Sequence, residues 1–158
     1  FPGTISLSIP TYQELVYEVA AALIKQGVSD LLILTGNRPN RTSNDAVARR
    51  LVDDFDKEFD FQVTAVSYWE PGAAAIHALR KSEVGGMGHG GEFETSFALD
   101  QFPERVRADE VNYENAQKAT VAKGGAILDA VVEGVAGEVL SLLWPLHEIG
   151  LNLALAGA

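Results

Sequence analysis

The chain reads as an α/β protein built on a mostly parallel sheet. Leu31-Leu32-Ile33-Leu34 is a short, unbroken apolar run, the mark of a strand buried on both faces. Before it, Leu15, Val16, Val19, Leu23 and Ile24 recur at helical spacing. After it, Phe61, Val63 and Ala65 alternate with Gln62 and Thr64, which predicts a second strand. Helix, strand, helix, strand is the order of a layered α/β fold.

Each element carries its own boundary signals. Ser8-Ile9-Pro10-Thr11 opens the first helix, with Ser8 or Thr11 as cap and Pro10 in the first turn, and Gly27 ends it. Ala46 to Phe55 reads as the second helix, capped by Ser43 or Asn44. Ala73 to Leu79 is a short helix in which His77 is expected to be structural. Phe102-Pro103-Glu104 breaks the chain again. From Ala116 to Leu143 apolar residues return at helical intervals, weakened by Gly124, Gly125, Gly134 and Gly137. This predicts two helical pieces, or one helix packed closely on another backbone. Leu142-Leu143-Trp144, Ile149, Leu151, Leu153 and Leu155 keep the tail apolar, consistent with burial on another subunit, with a disordered tail as the competing reading. His147 lies in this tail with no partner that spacing identifies.

Composition sets the outer bounds. The 158 residues, 47% of them hydrophobic, suffice for one domain with a real core. A net charge of −10 argues against nucleic acid and anionic membrane as partners, since both require a basic surface. No cysteine is present, which excludes disulfides and thiolate metal sites. No apolar run approaches the roughly 18 residues of a membrane span. The cytoplasm is the expected compartment, although the first residue is Phe rather than Met.

The stretch that promises chemistry is Gly85-Gly86-Met87-Gly88-His89-Gly90-Gly91-Glu92-Phe93-Glu94-Thr95-Ser96. A glycine-rich turn delivers a histidine and then Glu-x-Glu into the start of a helix. Glu92 and Glu94, two apart in the first turn, point to different sides, so one faces a cavity while the other faces solvent or caps the helix. Imidazole and carboxylate together suit zinc or manganese, with iron a third option, and an open coordination position would hold an activated water. Elsewhere Tyr68 and Trp69 follow the second strand, where aromatics can line a substrate pocket; plain packing is the competing reading.

Gly88-His89-Gly90-Gly91-Glu92-Phe93-Glu94-Thr95-Ser96 resembles the His-Ala/Gly-Gly-x-x-Glu-Thr-Ser signature of the creatininase (creatinine amidohydrolase) family. The opening Phe1-Pro2-Gly3-Thr4-Ile5-Ser6-Leu7 is similar to that family's Phe-Pro-Gly-Thr-Ile-Ser segment. The resemblance implies a three-layer α/β/α fold and a metal-dependent amidohydrolase that cleaves a C–N bond of a small amide, cyclic or linear. It further implies that His89 handles protons and Glu94 binds metal. In Thr35-Gly36-Asn37-Arg38-Pro39-Asn40, Asn37 stands where the family has a metal-binding His, and Pro39 where creatininase proper has a metal-site Glu. Asn37 is therefore a doubtful ligand, because an amide oxygen is a poor substitute for imidazole.

The family also has a preceding part that supplies a Glu-x-His pair and a bridging Asp, and none of it is found in this sequence. Residues 1–158 are accordingly expected to be the C-terminal part of one creatininase-like domain. The expected partners are a small amide substrate, a chain carrying the N-terminal part, and further copies in a homo- or hetero-oligomer. The competing expectation is a non-catalytic subunit that keeps the fold for assembly. A nucleotide-binding module is set aside, since no Gly-x-Gly-x-x-Gly follows a strand.

Overall fold

A computed structural model of the chain describes residues 3–83, 88–111 and 114–143. The apolar tail from Trp144 onward, including His147, and Gly85-Gly86-Met87 of the glycine-rich stretch lie outside the described residues. The described residues divide into two compact units, residues 3–68 with 138–143, and those between 69 and 137.

The first unit is built on the expected helix–strand–helix–strand order. Helix α1 spans Ile9–Lys25, and the Ser8 hydroxyl caps it by accepting from the Thr11 N–H at 3.3 Å. Gly27, at a φ of 92°, carries the chain out of it. Strand β1 (Asp30–Thr35) pairs in parallel with β2 (Gln62–Ser67), with Leu31 opposite Val63 and Ile33 opposite Ala65. Helix α2, Asn40–Phe55, joins them. It starts well before the expected Ala46. Ser43 and Asn44 are buried positions inside the helix rather than its caps, and Pro39 precedes it with no side-chain cap. The Tyr12 hydroxyl donates to Asn44 Oδ1 at 2.8 Å, which satisfies an amide that would otherwise be costly inside.

Ala20, Ala21 and Ile24 of α1 and Val47 and Leu51 of α2 form the core. Leu31, Ile33 and Val63 pack against it from the sheet, and Phe61 from just before β2. Fully burying an aliphatic side chain of this kind contributes roughly 1.5–3 kcal/mol. The other face of β1 is covered less than the apolar run predicts, with Leu32 half-buried and Leu34 48% exposed.

In the second unit, α3 spans Ala73–Leu79 and α4 spans Glu92–Gln101. His77 is exposed on α3 rather than part of a core. Short 3-10 turns follow at Pro103–Arg105, Ala108–Glu110 and Ala116–Lys118. Helix α5 runs unbroken over Val121–Leu143, so the glycines do not split it, and its residues from Glu138 onward belong to the first unit. Two of them seat it instead. A Cβ on Gly124 would lie 2.2 Å from the Ser96 carbonyl oxygen of α4, and one on Gly134 would lie 2.5 Å from the Gly72 nitrogen. Among the described residues, no helix is long and apolar enough to cross a membrane.

Candidate active site

The His89 segment forms a tight turn. The Gly91 N–H donates to the Gly88 carbonyl at 3.0 Å, and the two central residues, His89 and Gly90, have φ of 52° and 70°. Positive φ at both central positions is the pattern of a type I′ turn. It suits Gly90, but His89 is the one non-glycine residue with positive φ among the described residues. A side chain held in the left-handed region costs on the order of 1–3 kcal/mol, and such strain concentrates at functional sites. Gly91 then caps α4 with no side-chain bond.

The turn is tied to the first turn of α4. The Gly90 N–H donates to Glu94 Oε2 at 2.5 Å, the Thr95 hydroxyl donates to the Gly90 carbonyl at 2.9 Å, and the Thr95 N–H to the Gly91 carbonyl at 3.0 Å. Glu94 is exposed and, with Gly90 and Thr95, lines an open groove of about 450 Å³. Arg105, Val106 and Arg107 form part of its wall. A carboxylate has about four lone-pair sites, so one N–H leaves Glu94 capacity for a further partner.

Glu92 behaves in the opposite way. Its side chain is 1% exposed and meets the Lys123 ammonium, whose side chain is 11% exposed. The Lys81 N–H reaches both carboxylate oxygens at 3.0 Å, and the Ser82 N–H reaches Oε2 at 2.7 Å. Lys123 also donates to the Lys118 carbonyl at 2.6 Å. Burial is the strongest single influence on this carboxyl and works against its ionisation. Lys123, Ser82 and the two backbone N–H groups together outweigh burial and hold the carboxyl at about 2, below its ordinary 4.5. The two glutamates therefore point to different sides as the spacing predicts. Neither follows the expected split into one cavity-facing and one solvent-facing or capping residue, because Lys123 and two backbone N–H groups draw Glu92 inside while exposed Glu94 lines the groove.

The remaining sequence-derived residues lie at the carboxyl ends of the parallel strands. Asn37 follows β1, exposed, where its N–H and carbonyl both meet the Thr35 hydroxyl at 3.2 Å. The Asn40 N–H donates to the same carbonyl at 3.0 Å, making an ordinary polar turn into α2. Half-buried Tyr68 follows β2, its N–H bonded to the Thr35 carbonyl at 3.1 Å. Asn37 and Tyr68 belong to the first unit, and Trp69, His89 and Glu94 to the second.

Among the described residues, no group of three or more His, Asp or Glu side chains could hold a metal ion. A catalytic zinc generally takes about three protein ligands. Glu94 alone does not make such a set.

Residues 1–118 match the family model for creatininase, described as creatinine amidohydrolase. The chain belongs to the creatininase family. Among curated relatives, a creatinine amidohydrolase of Pseudomonas putida is 27% identical over 172 residues, covering 88% of this chain and 65% of the relative. The chain thus spans just under two thirds of that relative's length. Among solved structures, a creatinine amidohydrolase (creatininase) superposes with a TM-score of 0.75 at 27% identity, over 92% of this chain and 68% of its own. A mutant creatininase complexed with creatine gives 0.72 at 27% identity, over 88% and 67%. A mutant creatininase of Zn-Zn type gives 0.73 at 27% identity, over 92% and 68%. The α/β class, the parallel strand pair and the creatininase likeness are those the sequence predicts.

Lys123 is the residue that sequence reasoning passed over. A single cation beside Gly124-Gly125 at the head of an apolar helix was the available signal. What could not be read was its partner, which lies 31 residues upstream at Glu92.

Proposed function

We propose that this chain forms part of a creatininase-family amidohydrolase that cleaves the C–N bond of a small amide, cyclic or linear. One observation carries the reading: His89 is held with left-handed backbone at the head of α4, in the turn that ties Gly90 to groove-lining Glu94. In this reading His89 delivers a proton to the leaving nitrogen, a step worth typically 10²–10⁴-fold in rate. Tyr68 and Trp69 are assigned to substrate contact.

Metal dependence is the finer part of the proposal. It is supported by the relative solved in a Zn-Zn form. The described residues of this chain do not complete a metal site. If Glu94 holds zinc, manganese or iron, the other ligands come from beyond these residues. In this reading the chain assembles with further copies or with a chain carrying the N-terminal part of the domain, in the cytoplasm and without nucleic acid or membrane.

The test combines elemental analysis of the purified native assembly with hydrolysis of creatinine and a panel of cyclic and linear amides. Turnover that disappears in His89→Ala, with stoichiometric metal lost in Glu94→Ala, supports the reading. Turnover and metal content unchanged in both variants would overturn it.

A further inference from the structure

The Glu92–Lys123 ion pair at the start of α4 has no part in the proposed proton transfer, yet its carboxylate is 1% exposed. A buried carboxylate–ammonium pair is a poor device for stability alone, because an apolar pair of similar volume commonly does as well or better. Hydrogen bonds, unlike apolar contacts, fix direction. Here they fix the first residue of α4 on two sides. The Lys81 and Ser82 N–H groups hold Glu92 from one segment, and Lys123, anchored on the Lys118 carbonyl, holds it from α5. One turn further along, Ser96 Oγ accepts from the Thr120 N–H at 3.2 Å. Among the described residues, the bonds that shape the His89 turn run to Gly91, Glu94 or Thr95, so the turn takes its place from the start of α4.

We propose that Glu92 and Lys123 are positioning residues, a clamp that fixes the start of α4 and thereby keeps the His89–Gly90 turn in its left-handed form. The inference rests on the reading of His89 as the proton carrier, and it goes beyond it by naming what sets the imidazole's place. Neither clamp residue lines the groove.

The experiment is amide hydrogen exchange on the full chain, compared among wild type, Glu92→Leu/Lys123→Met, Glu92→Gln and Ile127→Val. The apolar double variant removes both charges together, so no lone charge is left inside. The expected result is a loss of protection at the Gly90 and Gly91 amides of at least about tenfold, with the α5 amides near Ile127 unchanged. Native protection at Gly90 and Gly91 in the double variant would overturn the clamp. Should that variant not fold, Glu92→Gln is compared with Ile127→Val, a core truncation 1% exposed and remote in sequence from the turn. A larger loss at Gly90 and Gly91 in Glu92→Gln supports the clamp, and an equal loss refutes it. Where the amide panel gives turnover, kcat falls in the clamp variants with KM unchanged. A native assembly without turnover sinks the hydrolase reading and leaves the exchange result standing.

Discussion

Replacing Glu92 by Gln should change not only how stable the protein is but how that stability responds to acid. The carboxyl sits at about 2 in the folded chain against an ordinary 4.5. A depressed value means the folded state favours the ionised form, so the contribution is fully present above about 4.5 and is lost as pH falls towards 2. At about 1.36 kcal/mol per unit, that difference is worth about 3 kcal/mol at neutral pH. In Glu92→Gln this acid-sensitive component vanishes. The Lys123 ammonium, 11% exposed, is left without its carboxylate. Removing one partner of a buried pair costs about 3–5 kcal/mol. For a chain of this size that corresponds to a fall in Tm of about 6–20 °C, at roughly 2–4 °C per kcal/mol. Urea unfolding at intervals from pH 7 to pH 2.5 separates the two effects. The wild type should lose stability steeply below about pH 4.5, whereas Glu92→Gln should start lower and follow a flatter curve. Parallel curves through that range would refute the assignment of the acid response to Glu92.

Gly124→Ala places a methyl 2.2 Å from the Ser96 carbonyl oxygen and 2.5 Å from Asp100 Cβ, so it should cost at least about 2 kcal/mol. A melt within a degree of wild type would count against the close approach of α5 to α4. His89→Gly should leave Tm within a few degrees, because relief of the left-handed backbone offsets the entropy that glycine adds to the unfolded chain. His89→Val should lower stability by about 1–2 kcal/mol, since a β-branched residue is disfavoured at positive φ; equal stability of the two variants would argue that the turn does not hold in solution. Asn44→Ala strips the Tyr12 hydroxyl of its acceptor at 2.8 Å and should cost about 1–3 kcal/mol in urea unfolding. No loss there would mean that water replaces the amide.

Features set by neighbours in sequence were legible in advance. The start of α1 follows from Ser8 and Pro10 and its end from Gly27, all local signals. The motif turn was legible for the same reason, since Gly88 to Gly91 is one continuous stretch. The start of α2 was not. Polar residues ahead of an apolar repeat ordinarily cap a helix, but Asn44 goes inside because Tyr12, on another helix, supplies its hydrogen bond. The exposure of Leu34 was hidden for a related reason. An apolar run reports that a strand tends to be covered, not which neighbours cover it. At the site, spacing assigned Glu92 and Glu94 to different sides, but the partner that locks Glu92 inside could be named only once α5 was in place.

The contact between Gly134 and Gly72 has an evolutionary consequence. A Cβ on Gly72 would fall 2.3 Å from the Ala130 carbonyl oxygen, and one on Gly134 would fall 2.8 Å from the Pro71 carbonyl carbon. What would be struck in each case is main chain, which every amino acid shares. No substitution of a facing side chain can make room, as a smaller residue would in an ordinary core. These positions therefore lack compensating partners. Their tolerance cannot drift with the surrounding sequence, and diverging descendants that keep this fold should keep both glycines or shift α5 as a whole.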